Sequence, residues 1–134
     1  AADFTSETAD GREKSFAQAQ ARLSRVVCAD TEMLTQSEIT DLAKYVWERQ
    51  ISQISDGLRK VYNYTKNLSQ KEVPIVVTGL GKDFLARKAA EKIGAATIMD
   101  LGAFLNKRGV LATPALGVAL MTAGKIKGVS IKWP

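Results

Sequence analysis

Histidine is absent from this 134-residue chain. With it go the side chain that most often serves as a general base near neutral pH and the commonest transition-metal ligand. One cysteine, Cys28, permits neither an internal disulfide nor a cysteine metal cluster. These two shortages exclude most zinc chemistry and Ser-His-Asp catalysis within the chain, and no metal site is expected. They also point to a reducing, cytoplasmic setting. Cys28 follows the apolar pair Val26-Val27, so a buried, unreactive thiol is expected. Long apolar runs are missing as well. The most apolar stretch, Gly109–Gly124, is too short to span a bilayer and is interrupted by Pro114, so it is read as a buried helix. The opening Ala1–Asp10 is polar and acidic, without the apolar core of a secretory signal. No membrane partner is expected.

What is present is globular in balance: 46% apolar and 25% charged residues, in a length that fits one domain. The formal charge is +5, from 19 basic against 14 acidic residues. The basic residues are dispersed and no aromatics interleave them, which favours a solvated basic surface over a nucleic-acid interface. A small phosphorylated partner suits that surplus.

Residues 1–13 read as a flexible lead-in and residues 14–134 as a single α/β domain. Phe16, Ala19, Leu23, Val26 and Val27 recur at helical spacing over Lys14–Cys28. Thr35 and Glu38 form a capping box that opens a second helix, running to about Asn67 through a loosening at Gly57. Ile39, Leu42, Ala43, Val46, Trp47, Ile51, Ile54, Leu58, Val61 and Tyr62 trace its apolar stripe; Lys44, Glu48, Arg49 and Lys60 its solvated face. Ile75-Val76-Val77 is β-branched throughout and predicts a strand covered on both faces. A helix over Lys82–Ile93 follows, buried through Phe84, Leu85, Ala89 and Ile93 and ended by Gly94. Ala96–Met99, ending at Asp100, predicts a second strand, parallel to the first with a right-handed crossover. Leu101–Lys107 is a weak helical turn. Thr113-Pro114 predicts an N-cap and first helical residue for Pro114–Ala123, and Val129–Trp133 a last edge strand.

The concentrated signal is the turn Thr78-Gly79-Leu80-Gly81-Lys82. Its glycines let a ligand approach the main chain, and the helix that follows adds partial positive charge suited to phosphate or ribose oxygen. It lacks the frame of a Walker phosphate loop. As a dinucleotide fingerprint it supplies two glycines, with Asp100 placed for a ribose 21 residues after Gly79, but the third glycine position is Phe84. A purely structural turn stays open beside these. Lys82 and Arg87 are the cations near it. Asp30, Glu32 and Asp100 are the carboxylates weighed as metal ligands, with capping and solvation as their ordinary fates.

Arg22 to Asp30, Val76 to Gly81 and Ala112 to Ala119 resemble successive stretches of the hydantoinase/oxoprolinase-like proteins linked to tetrahydromethanopterin one-carbon (C1) transfer. The resemblance implies the second lobe of an actin-like (ribonuclease H-like) ATPase fold, shared with sugar kinases and heat-shock ATPases: helix-rich α/β, with a short parallel sheet built on a βαβ unit. It implies the carboxy-terminal part of a longer enzyme, similar to the methanofuran-biosynthesis synthases that join a phosphorylated aminomethylfuran to γ-glutamyltyramine. The absence of an initiator methionine suits that expectation. Thr78, Gly79, Leu80, Gly81 and Lys82 would then form a nucleotide- or phosphate-binding motif. The two Asp-x-Gly phosphate motifs of the superfamily, and with them ATP and magnesium, are expected in the part of the parent that precedes this chain. That remaining amino-terminal part is the implied protein partner, and the catalytic residues, which stay unassigned, would lie in it. Two other readings of the residues remain: a non-catalytic dinucleotide- or nucleotide-binding module with Asp100 on the ribose, and an interaction domain docking through Thr35–Asn67.

Overall fold

A computed structural model describes residues 7–69, 71–105 and 107–128. They form two compact units, Ala1–Arg49 and Gln50–Pro134.

In the first unit Ser15 caps helix α1 (Phe16–Arg25), its hydroxyl accepting from the Gln18 amide. Ser24, on the inner face, is fully buried and donates to the Gln20 carbonyl at 2.8 Å, so its hydroxyl is not left unpaired. After Arg25 the chain turns back on itself. The Cys28 amide bonds the Arg25 carbonyl, the Ala29 amide bonds the Ser24 carbonyl, and Cys28 itself is left-handed at φ 58°. This is the Schellman arrangement, with cysteine where glycine is usual. Its geometry overturns the expectation of a buried thiol: Cys28 is exposed, as are Val26 and Val27, because all three lie in the cap beyond the helical face. The segment before α1 is tied to it, Asp10 pairing with Arg22 and Arg25 while Arg22 also reaches the carbonyls of Arg12 and Glu13.

Helix α2 (Gln36–Ser69) starts in this unit and continues into the second. The capping box forms as its sequence requires: the Thr35 amide donates to Glu38 at 2.8 Å, and the Glu38 amide to the Thr35 hydroxyl at 3.3 Å. Gly57 does not interrupt it.

In the second unit Ile51 and Tyr62 of α2 are buried, but Ile54 and Val61 are exposed. Between them Ser55 is fully buried, its hydroxyl 2.7 Å from the Ile51 carbonyl and 3.3 Å from that of Ala89. Strand β1 (Ile75–Val77) pairs in parallel with β2 (Ile98–Asp100), in the register Ile75 to Ile98, Val76 to Met99 and Val77 to Asp100. Val77 faces the core at 2% exposure and Val76 faces out at 52%, so β1 is covered on one face rather than both. The segment predicted as one helix divides into a π-helical turn (Lys82–Ala86) and α3 (Arg87–Lys92). Its wider winding shows in the bond from the Ala86 amide to the Gly81 carbonyl, five residues back. Ala89 and Ala90 sit wholly in the core, whereas Phe84, expected there, is exposed. Gly94 ends the helix at φ 75°.

A 3₁₀ turn (Leu101–Ala103) leads to α4 (Lys107–Leu111) and α5 (Thr113–Lys127). Ala112, not Thr113, is the cap of α5, because α4 ends immediately before it. The Thr113 hydroxyl turns back instead to the Val110 carbonyl at 2.7 Å. The expected strand Val129–Trp133 lies outside the described residues. Among those residues, no helix is long and apolar enough to cross a membrane.

Candidate functional site

The site is built where β1 runs out. Beyond Val77 the chain must reverse within a few residues to enter the π-helical turn, and Gly79 takes φ 83°, a conformation that side chains with a Cβ resist. Leu80 is left projecting, 61% exposed. A pocket of about 380 Å³ opens beside this turn, lined by Gly79, Leu80, Lys82, Gly102, Leu105, Val110 and Leu111. Of the five residues singled out from the sequence, Gly79, Leu80 and Lys82 line it. Thr78 does not; its hydroxyl lies 2.8 Å from that of Thr113 and fastens the turn to the start of α5. Gly81 supplies the carbonyl to which Leu85 and Ala86 bond.

The charged edge of the pocket is a three-residue cluster. Lys82 forms an ion pair with Asp100, and Arg87 Nη2 stands 3.7 Å from the same carboxylate oxygen. The other oxygen accepts the Gly102 amide at 2.7 Å. The Lys82 hydrogen bond first, and then the Gly102 amide, hold the Asp100 carboxyl below its ordinary range; partial burial opposes them, and the charges of Lys82 and Arg87 assist. Gly102 leaves room for the cluster as it stands: a Cβ there would lie 2.9 Å from Asp100 Oδ1 and 3.0 Å from Lys82 Nζ, so those side-chain ends would have to shift.

Asp100-Leu101-Gly102 is itself an Asp-x-Gly triplet, contrary to the expectation that such motifs lie only outside this chain. The triplet was the available signal for Gly102 as a site residue. The apolar wall of Leu105, Val110 and Leu111 had none, since it forms only when the α4 segment folds over the turn. Of the carboxylates weighed as metal ligands, Asp30 accepts the amides of Glu32 and Met33, and Asp100 is committed to its cations. Among the described residues no group of three His, Cys, Asp or Glu side chains is arranged to hold a metal.

No protein-family model matches the chain. Two curated relatives do resemble it over most of its length. One is the (4-{4-[2-(gamma-L-glutamylamino)ethyl]phenoxymethyl}furan-2-yl)methanamine synthase of Methanocaldococcus jannaschii, 32% identical over 120 residues, which cover 87% of this chain and 33% of that protein. The other carries the same name in Methanococcus vannielii, 25% identical over 126 residues, covering 92% of this chain and 54% of that protein. The chain thus spans about a third and about half of the length of the curated relatives it matches.

Proposed function

We propose that this chain is the phosphorylated-ligand-binding portion of a one-carbon-pathway biosynthetic enzyme of the methanofuran-synthase type, completed by the remaining part of such a protein. The observation that carries the reading is the similarity to two synthases whose named product joins a furanyl methanamine to a γ-glutamylated phenyl ether, over 87% and 92% of the chain. The pocket is compatible with it in chemistry. Leu80, Leu105, Val110 and Leu111 offer an apolar wall for a ring, and Lys82 a cation for a phosphate. The parent's actin-like, hydantoinase-related fold belongs to the same proposal.

Among the described residues, this pocket offers no free carboxylate for a magnesium ion. Asp100, the carboxylate beside it, is taken up by Lys82 and the Gly102 amide, so the acids for a metal-bound triphosphate belong to the preceding part of the parent in this proposal. The same engagement counts against Asp100 as a ribose acceptor. In the mechanism proposed, the turn and Lys82 hold the phosphate end of a phosphorylated aminomethylfuran while the ring lies against the apolar wall.

Calorimetry of the 134-residue chain with a phosphorylated aminomethylfuran, ATP and NAD tests this reading. The furan is expected to bind, and Lys82→Met to weaken it by about tenfold or more. Binding of ATP or NAD with no response to the furan would transfer the site to the nucleotide reading.

A further inference from the structure

Two cations, Lys82 and Arg87, face the one carboxylate of Asp100 at the pocket, and Asp83 pairs with Arg87 from its far side. Lys82, Arg87 and Asp100 are not equivalent. Lys82 lines the pocket, and its compact ammonium sits on a flexible stem. Asp100 is anchored independently through the Gly102 amide at 2.7 Å. Arg87 is held from its other side, Nε to Asp83 at 3.4 Å, with Nη2 aimed at the Asp100 oxygen that Lys82 occupies. If Lys82 leaves, the carboxylate keeps its place and a second cation is already beside it.

We infer that Lys82 is an exchangeable cation, which turns from Asp100 to the anionic group of a ligand in the pocket while Arg87 takes over the carboxylate. We infer with it that the pocket selects an anion carried on an apolar ring over a bare phosphate. The inference rests on the phosphorylated-ligand reading above and gives the site its ligand class. An anion that recruits Lys82 must compete with an existing, half-buried ion pair, the side chains being 22% and 27% exposed. Inorganic phosphate brings only charge to that competition and loses strong hydration in doing so. A ring adds contact with Leu80, Leu105, Val110 and Leu111, whose burial supplies the missing free energy.

Phenyl phosphate and inorganic phosphate are the probes, titrated by NMR into the full 134-residue chain and into its Asp100→Asn and Arg87→Gln variants. Phenyl phosphate should bind the unsubstituted chain about tenfold more tightly than inorganic phosphate, as apolar burial of one ring allows. Asp100→Asn keeps an oxygen for the Gly102 amide but frees Lys82, and should tighten phenyl phosphate binding by about three- to tenfold. Arg87→Gln removes the replacement cation and should weaken it severalfold. In the unsubstituted chain the Lys82 ammonium resonance should shift on adding phenyl phosphate, a readout that stands even if a variant misfolds. Equal affinity for the two probes, an unmoved Lys82 resonance, or unchanged or weaker binding by folded Asp100→Asn would overturn the inference and leave the phosphorylated-ligand reading standing. Failure of both probes to bind either the unsubstituted chain or Asp100→Asn would instead overturn that reading.

Discussion

The hydroxyls of Thr78 and Thr113 lie 2.8 Å apart across 35 residues of chain and join the glycine turn to the first turn of α5. The direction of this hydrogen bond follows from its neighbours. Thr113 has one proton to donate and sits 2.7 Å from the Val110 carbonyl, so Thr113 donates there and accepts from Thr78.

Thr78→Val keeps the shape and removes the donor. It should lower stability by about 1 kcal/mol, the net worth of an ordinary hydrogen bond. Paired with Thr113→Val in a double-mutant cycle of urea denaturation, the two substitutions should be coupled rather than additive. Strict additivity would show that the two hydroxyls do not support one another.

Cys28 carries a left-handed backbone in a helix cap that glycine would occupy without strain. Cys28→Gly should therefore stabilise the chain, by about 1 kcal/mol, despite deleting a side chain. Because the thiol is exposed, little packing is lost. Thermal melting of the two proteins checks this; a lower melting temperature for Cys28→Gly would mean that the thiol makes contacts which outweigh the strain.

Acid should weaken the fold in a defined window. The Asp10 carboxyl is raised by burial, but hydrogen bonds from the Arg22 side chain and Arg12 amide and the Arg22 charge outweigh this and bring it from 3.8 to about 2. Glu38 is held below its ordinary 4.5 by the Thr35 amide and hydroxyl, and Glu72 by hydrogen bonding to Lys66. Groups depressed in the folded state bind fewer protons there than when unfolded. Their contribution is complete above about pH 4.5 and is lost as pH falls through the folded values, toward about 2. With no histidine in the chain, stability should be level between about pH 5 and 7. Denaturation midpoints measured from pH 7 to 2 should show both parts, and Arg22→Gln should flatten the lowest portion.

Local signals were readable where local chemistry decides the outcome. The Thr35–Glu38 box formed because both partners lie within one turn, and the β-branched Ile75–Val77 run followed by glycine made a strand and turn. Reading failed where tertiary neighbours decide. Val26 and Val27 look like core at helical spacing, yet the chain leaves the helix at Arg25. Thr113-Pro114 has the form of a cap, but α4 ends at Leu111 and gives Ala112 that position. Ser55 is polar and interrupts the apolar stripe, and it is fully buried because its small side chain accommodates the Ala89 backbone. At the pocket, Gly79, Leu80 and Lys82 could be chosen from the turn alone. The pairing of Lys82 with Asp100 needed the parallel register that sets Val77 beside Asp100.

The π-helical turn Lys82–Ala86 has a consequence for how this chain tolerates length change. One extra residue in a helical turn rotates everything on one side of it by roughly 100° about the axis relative to the other. Ala89 and Ala90 are wholly enclosed on the downstream side and Val77 is buried on the upstream side, so the offset falls on the turn between them, where Gly79 is left-handed. A one-residue deletion here is therefore expected to displace Lys82 from Asp100 before it disturbs the enclosed alanines.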